Sequence, residues 1–266
     1  MTRLACLITT ASSLLISTLA SAQGIELQMR VRNDSAAVVA GARVCGDLPI
    51  AVNAQSWRWE VSSTSGLERG EAGYCMALPE FGPYQSQVVR LNWSPVTVAK
   101  EAGASAPAYP VEEFPSAELQ ALADSFSRYP QAERAQHIYQ WMIDNVAFSG
   151  IRRGVDGAEH ALSQRQGDCT EHMLLAAELL SRNGISVRRA LGVAIPEDQN
   201  RISAGDLHNW VEYLDNREWR IFDSSRRIFE NPAGRRYLAL LYYENSQQLS
   251  AVPLTTDAQG LKLYLE

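Results

Sequence analysis

Gly167-Asp168-Cys169-Thr170-Glu171-His172 leads into Met173-Leu174-Leu175-Ala176-Ala177-Glu178-Leu179-Leu180, a run that stops at Asn183-Gly184. Nearly every position in its middle is apolar, so a buried helix is expected from Cys169 to Asn183, closed by the glycine. With Asp168 as the N-cap, Glu171 falls in capping-box register and Cys169 becomes the first helical residue. A thiol there lies in the positive field of the helix end. That field and a neighbouring imidazolium are the usual means of lowering a thiol pKa from about 8.5 toward about 3.5–7.5. Asp168 and Glu171 oppose the effect unless their charge is spent on helix N–H groups, so the imidazolium has to contribute most.

A source for the imidazole lies C-terminal to the helix. Ile185 to Ile195, Leu207 to Leu214 and Trp219 to Asp223 alternate as strands, with Tyr237 to Tyr243 and Leu261 to Leu265 as further candidates. The second and third are joined by Asp215-Asn216-Arg217-Glu218, a turn-prone tetrad. If Asp215-Asn216 is the two-residue loop, His208 falls directly opposite Asp223; sliding the loop by one residue pairs His208 with Ser225. A carboxylate beside an imidazole fixes the tautomer and stabilises the protonated ring, as the third member of a Cys-His-Asp site does.

N-terminal to the helix the period is helical as well. Ser116 caps a helix through Phe126, and Ala135, Ile138, Tyr139, Met142, Ile143 and Val146 mark one face of a second. Earlier still, Ile25 to about Val98 alternates like strands, separated by turn clusters such as Asn33-Asp34-Ser35 and Phe81-Gly82-Pro83, which favours a small antiparallel sandwich. Small residues and prolines from Ala102 to Pro115 read as a linker. The expected organisation is a leader at 1–22, a β-sandwich at 23–100, a linker at 101–115 and an α+β domain at 116–266.

The leader has the form of an export signal: Arg3, then the apolar run Leu4 to Leu19, then Ala20-Ser21-Ala22 as the cleavage site. The run is shorter than the roughly 20 residues of a spanning helix, so no stable membrane insertion is expected after cleavage, and the location is periplasmic or secreted. Loss of the leader removes Cys6 and leaves Cys45, Cys75 and Cys169, an odd number in an oxidising compartment. A Cys45–Cys75 disulfide with Cys169 free is the economical pairing; three reduced, buried cysteines are the alternative. The chain is 46% hydrophobic and 20% charged, with a net charge of -6 and no basic stripe, which argues for a globular protein and against nucleic acid as a partner.

The set Cys169, His208-Asn209-Trp210-Val211-Glu212 and Trp219-Arg220-Ile221-Phe222-Asp223 resembles the transglutaminase-like superfamily, whose signature is a cysteine opening a buried helix, a His-x-Trp-x-Glu strand and a strand ending in Asp. Leu180-Ser181-Arg182-Asn183-Gly184-Ile185-Ser186-Val187-Arg188 is similar to the family's helix exit. More loosely, Val31-Arg32-Asn33, Leu48-Pro49 and Pro83-Tyr84 resemble the β-sandwich that precedes this domain in exported bacterial members. The resemblance implies a papain-like core with Cys169 as nucleophile, His208 as general base and acid, and Asp223 as the orienting residue. It implies attack on a carboxamide or peptide carbonyl to give a thioester that water or an amine resolves, with no cofactor. The Cys169 backbone N–H is the oxyanion donor to name.

Trp210 and His172 are candidates for the substrate cleft, against the commoner roles of a core aromatic and a structural histidine. Zinc held by Cys169, His172 and His208 is a weaker alternative, because Asp223 is better explained as a partner of histidine than as a fourth ligand. A peptide or protein substrate is expected, and a catalytically inactive fold retained as a peptide- or protein-binding module is the other class of function. Nothing in the sequence fixes the oligomeric state.

Overall fold

The computed structural model describes residues 24–51, 57–63, 66–70, 73–97, 115–152, 154–232, 234–243 and 254–266. The expected leader and the linker up to residue 114 lie outside the described residues. In the first part of the chain the strands are β1 (Ile25–Asn33), β2 (Arg43–Asp47), β3 (Ile50–Ala51), β4 (Trp57–Ser63), β5 (Leu67–Arg69), β6 (Gly73–Ala77) and β7 (Ser86–Thr97). The helical part follows, with α1 (Ala117–Ser125), α2 (Arg134–Asn145), β8 (Ala147–Phe148), α3 (Ala158–Gln164), β9 (Gln166–Gly167) and α4 (Cys169–Arg182). The remaining strands are β10 (Val187–Pro196), β11 (Arg201–Ile202), β12 (Leu207–Asp215), β13 (Glu218–Asp223), β14 (Ile228–Glu230), β15 (Arg235–Tyr243), β16 (Leu254–Thr256) and β17 (Leu261–Leu265). The fold is α+β, as expected.

β1 alternates as a half-buried strand should: Ile25, Leu27, Met29 and Val31 point into the core, while Arg30 and Arg32 stay in water. β1 pairs antiparallel with β7, and β7 with β4, while β2, β5, β6 and β16 form a second sheet. One apolar core joins the two, with Met76 and Phe81 from the second sheet's side packed among the β1 residues. Cys45 and Cys75 stand directly opposite on β2 and β6 and are disulfide-bonded, leaving Cys169 the free cysteine among the described residues.

The sheets do not follow the linker. β11 and β17 come from beyond residue 116, yet both pair along β1, and β16 joins β2. Conversely, β3 closes one edge of the six-stranded sheet β14-β13-β12-β10-β15-β3. The reason is a shared core: Val193, Ile195, Leu238 and Leu240 turn one face of that sheet toward the first-half strands. A division at 100/116 would strip apolar surface from both sides. β17 was expected as a strand, but beside the others of its own half.

α4 lies on the opposite face of the six-stranded sheet, with α1, α2 and α3 around it. Ten consecutive residues, Glu171 to Leu180, are buried, which is why the helix shows no polar face in sequence. Ser116 caps α1 through a hydrogen bond from Leu119 N–H, and Ala135, Ile138 and Met142 form the buried face of α2. Asn183 ends α4 and Gly184 follows with φ 73, a left-handed conformation that glycine adopts without strain.

Candidate active site

The N-terminus of α4 is built around two carboxyl groups. Asp168 accepts from Thr170 N–H at 2.7 Å, and Glu171 reaches back to Asp168 N–H at 3.1 Å, completing the expected capping box. Their other oxygens leave the helix: Asp168 takes Arg152 N–H and Glu171 takes Asp156 N–H. Burial works against the Asp168 charge, but the Glu171 carboxyl and the backbone donors hold Asp168 below the usual carboxylate range. Burial, then Asp168 itself, pushes Glu171 up. The two carboxyl groups are therefore shifted in opposite directions, and Asp168 holds its charge more readily than Glu171.

Cys169 is the first helical residue, and its N–H has no partner within the helix. Its side chain is partly accessible. Burial pushes the thiol up to about 11; the Asn209 N–H bonded to it opposes this, and the Asp168 and Asp223 carboxylates reinforce it. The expected depression of the thiol pKa is thus reversed, since burial outweighs the hydrogen bonds. Asn209 also joins three elements. Its side-chain N–H donates to Thr170 Oγ1 at 2.9 Å, and its Oδ1 accepts the Tyr243 hydroxyl at 3.1 Å.

His208, the residue before Asn209, is buried and bonded through Nε2 to Asp223 Oδ2 at 2.6 Å. The hairpin that joins them differs from the expected one. Its loop is Asn216-Arg217, both at positive φ, and Leu214 faces Trp219. The register pairs Val211 with Phe222 at its last rung. Extended by one pair it sets Trp210 beside Asp223, so His208 reaches the carboxylate diagonally on the same face. Every oxygen of Asp223 is engaged: Oδ2 also accepts the Tyr237 hydroxyl at 2.8 Å, and Oδ1 accepts Ser225 Oγ–H at 2.7 Å and Arg226 N–H at 3.1 Å. Burial raises this carboxyl, but the hydrogen bond and charge of His208, with Ser225 and Tyr237, hold it below its ordinary value.

Trp210 is 1% exposed, so it supports the site from the core instead of walling the cleft. Its ring lies nearly parallel to His208 at 6.3 Å and edge-on to Tyr237 at 5.1 Å, and its N–H donates to the buried Glu212 at 3.0 Å. Arg188 pairs with Glu212 and is sandwiched between the Trp219 and Tyr242 rings. Across the sheet from His208 stands Gly192, where a Cβ would come within 2.1 Å of Leu238 O and 2.6 Å of Trp210. Only glycine lets the indole sit there.

His172 is buried as well, with Nδ1 bonded to Ser224 Oγ at 2.8 Å. It lines a cavity of about 430 Å³ with Phe148, Arg165, Ser224, Ser225 and Arg227, and Cys169 is not among the lining residues. Among the described residues no three His, Cys, Asp or Glu side chains gather as a metal-binding cluster, the zinc candidates Cys169, His172 and His208 included. Tyr237, Tyr243 and Asn209 were not read as site residues in the sequence, and Ser225 entered there only as the alternative partner of His208. Asn209 and Ser225 adjoin residues singled out there, but nothing in the local pattern marks the two tyrosines, which arrive from β15.

A cysteine at a helix start and a histidine–aspartate pair on an antiparallel sheet define a papain-like arrangement within an α+β fold. Residues 120–224 form a transglutaminase-like domain, matching the transglutaminase-like superfamily over that span. Among solved structures, the "putative cysteine protease" from Cytophaga hutchinsonii is similar at a TM-score of 0.51 and 14% identity, covering 91% of this chain and 90% of that one. The periplasmic domain of TgpA from Pseudomonas aeruginosa aligns at a TM-score of 0.41 and 17% identity, over 77% of this chain and 91% of that one. No curated protein matches the chain.

Proposed function

We propose that the protein is a thiol-dependent acyltransferase or amidase acting on a carboxamide or peptide bond, with Cys169 as nucleophile, His208 as base and acid, and Asp223 as the residue that orients the imidazole. One observation carries this reading: the Cys169 thiol is hydrogen-bonded by the residue next to an imidazole that a buried carboxylate holds by Nε2. Nδ1 is left to exchange a proton with sulfur. Because the resting thiol is neutral, its proton passes to His208 as sulfur attacks the carbonyl carbon. The oxyanion forms toward the Cys169 N–H. His208 then protonates the departing amine and a thioester remains; water or a primary amine, deprotonated by His208, displaces the sulfur and returns the thiol.

Hydrolysis is the simpler outcome, and a peptide or protein is the substrate class. Export to the periplasm or medium is part of the proposal, supported by the leader-like first 22 residues and by the absence, among the described residues, of a helix long and apolar enough to cross a membrane. Glutamine-containing peptides, with and without a primary amine, test it. Ammonia or cleaved peptide should appear with the parent protein and vanish with Cys169→Ala; incorporated amine would mean transamidation. Absence of turnover together with tight peptide binding would favour the non-catalytic module.

A further inference from the structure

Tyr237 reaches Asp223 from far across the six-stranded sheet. It stands on β15 opposite Ala194 of β10, and β10 and β12 both lie between it and β13, which Asp223 ends. The phenol crosses that distance over a floor of small residues. Ala190, Ala194 and Ala239 pack in one buried cluster with Tyr237 and Trp210, and Gly192 leaves room for the indole. Trp210 in turn meets Tyr237 edge-on at 5.1 Å and lies nearly parallel to the His208 imidazole at 6.3 Å.

Packing alone does not call for the hydroxyl. A phenylalanine would fill the same space, and burying an O–H costs free energy unless an acceptor takes it. The acceptor here is Asp223 Oδ2 at 2.8 Å, the oxygen that also takes His208 Nε2 at 2.6 Å. A carboxylate oxygen has two lone pairs, so it accommodates both donors. Burial, then the Asp223 charge, pushes the Tyr237 phenol above its ordinary value, so it donates without giving up its proton.

The other oxygen, Oδ1, is held from within the turn that follows β13, by Ser225 Oγ–H at 2.7 Å and Arg226 N–H at 3.1 Å. Those two donors travel with Asp223 itself. Tyr237 is the one donor, among the described residues, that ties the carboxylate to a strand other than that of His208. With Oδ1 held locally and Oδ2 held from β15, the carboxylate plane cannot turn, and the Nε2 proton keeps one acceptor in one direction.

We propose that Tyr237 is a positioning residue of the Cys169 site, its hydroxyl fixing the Asp223 carboxylate so that His208 is held by Nε2 and keeps Nδ1 for the sulfur. This deepens the proposed function and rests on Cys169, His208 and Asp223 acting together there.

Tyr237→Phe removes the hydroxyl and keeps the ring; Tyr213→Phe, which removes a hydroxyl bonded to Glu230 at 2.6 Å, is the control. Nuclear magnetic resonance of ¹⁵N-labelled histidine reads which ring nitrogen carries the proton. The parent and Tyr213→Phe should show neutral His208 with its proton on Nε2 alone, whereas Tyr237→Phe should add a second population with the proton on Nδ1. On a glutamine-containing peptide, Tyr237→Phe should lower kcat about tenfold or more and leave KM within about twofold, because the hydroxyl supports proton transfer and not binding. An unchanged tautomer in Tyr237→Phe overturns the role, as does a loss of kcat that Tyr213→Phe matches. If the parent turns over no peptide, the thiol mechanism falls and the tautomer alone decides the role of Tyr237. If Tyr237→Phe does not fold, 3,5-difluorotyrosine at position 237 keeps ring and hydroxyl but donates more strongly. It should displace the His208 Nε2 signal together with the Asp223 carboxyl signal; movement of the carboxyl signal alone, or of neither, overturns the role.

Discussion

A thiol pushed up to about 11 is protonated at neutral pH, so sulfur in the resting site does not wait as an anion. Alkylation by iodoacetamide should therefore climb about tenfold per pH unit between roughly pH 7 and 10, as the thiolate fraction does. Peptide mapping across that range checks it, and a plateau near pH 7 would mean an ion pair with His208 already formed. Asp223 behaves in the opposite sense. Its folded pKa lies below the ordinary value, so its contribution to stability is complete above about pH 4 and is lost as pH falls through the lower folded value. Asp223→Asn should cost about 1–3 kcal/mol at pH 7, where charged acceptors are lost to buried donors, and the gap to the parent should close toward pH 2. Urea unfolding at a series of pH values measures both ends. The rate of any acyl transfer should fall by about 10⁴ in the same variant, as expected when the imidazole is held in the wrong tautomer.

Among the elements, the β12–β13 hairpin shows why the site was readable when its register was not. The tetrad 215–218 fixes a two-residue turn but not its position, because Asn216, which tolerates positive φ, can be either the second residue of an Asp215-Asn216 loop or the first of an Asn216-Arg217 loop. Moving the loop by one residue changes which residues pair without changing which face each occupies. His208 and Asp223 therefore stay on one side of the sheet in either register, and the side chains are long enough to meet on the diagonal. Arg217 sits at φ 70 in the observed turn, a conformation unfavourable for a residue with a Cβ. Arg217→Gly should raise stability by about 1 kcal/mol, seen as a higher denaturation midpoint with an unchanged slope. α4 was legible for a different reason: cap, capping-box partner and terminal glycine are all local signals. α3 and the short strands β8 and β9 were not, since each is too brief to show a period, and the two strands owe their shape to pairing with each other.

At the scale of the molecule, the exchange of strands across the linker makes the half that carries Cys169, His208 and Asp223 dependent on the other. Val193, Ile195, Leu238 and Leu240 are buried only because β1, β2 and their neighbours cover them. A fragment 116–266 should expose that face and give no cooperative thermal transition, whereas the chain from residue 23 should unfold in a single step; calorimetry of the two distinguishes the cases. Local alternation identified a strand-rich first half and the longer strands of the second but could not disclose this exchange, because pairing partners so far apart in sequence leave no trace in either. The seating of Leu261–Leu265 beside Ile25–Asn33 also sets an order of events. Whichever way the polypeptide is produced, the first strand emerges long before its neighbour exists, and closing so long a loop is slow. Such a chain stays unstructured along its leading edge while it is being made, the condition in which a polypeptide can be threaded through a narrow secretion channel before it locks.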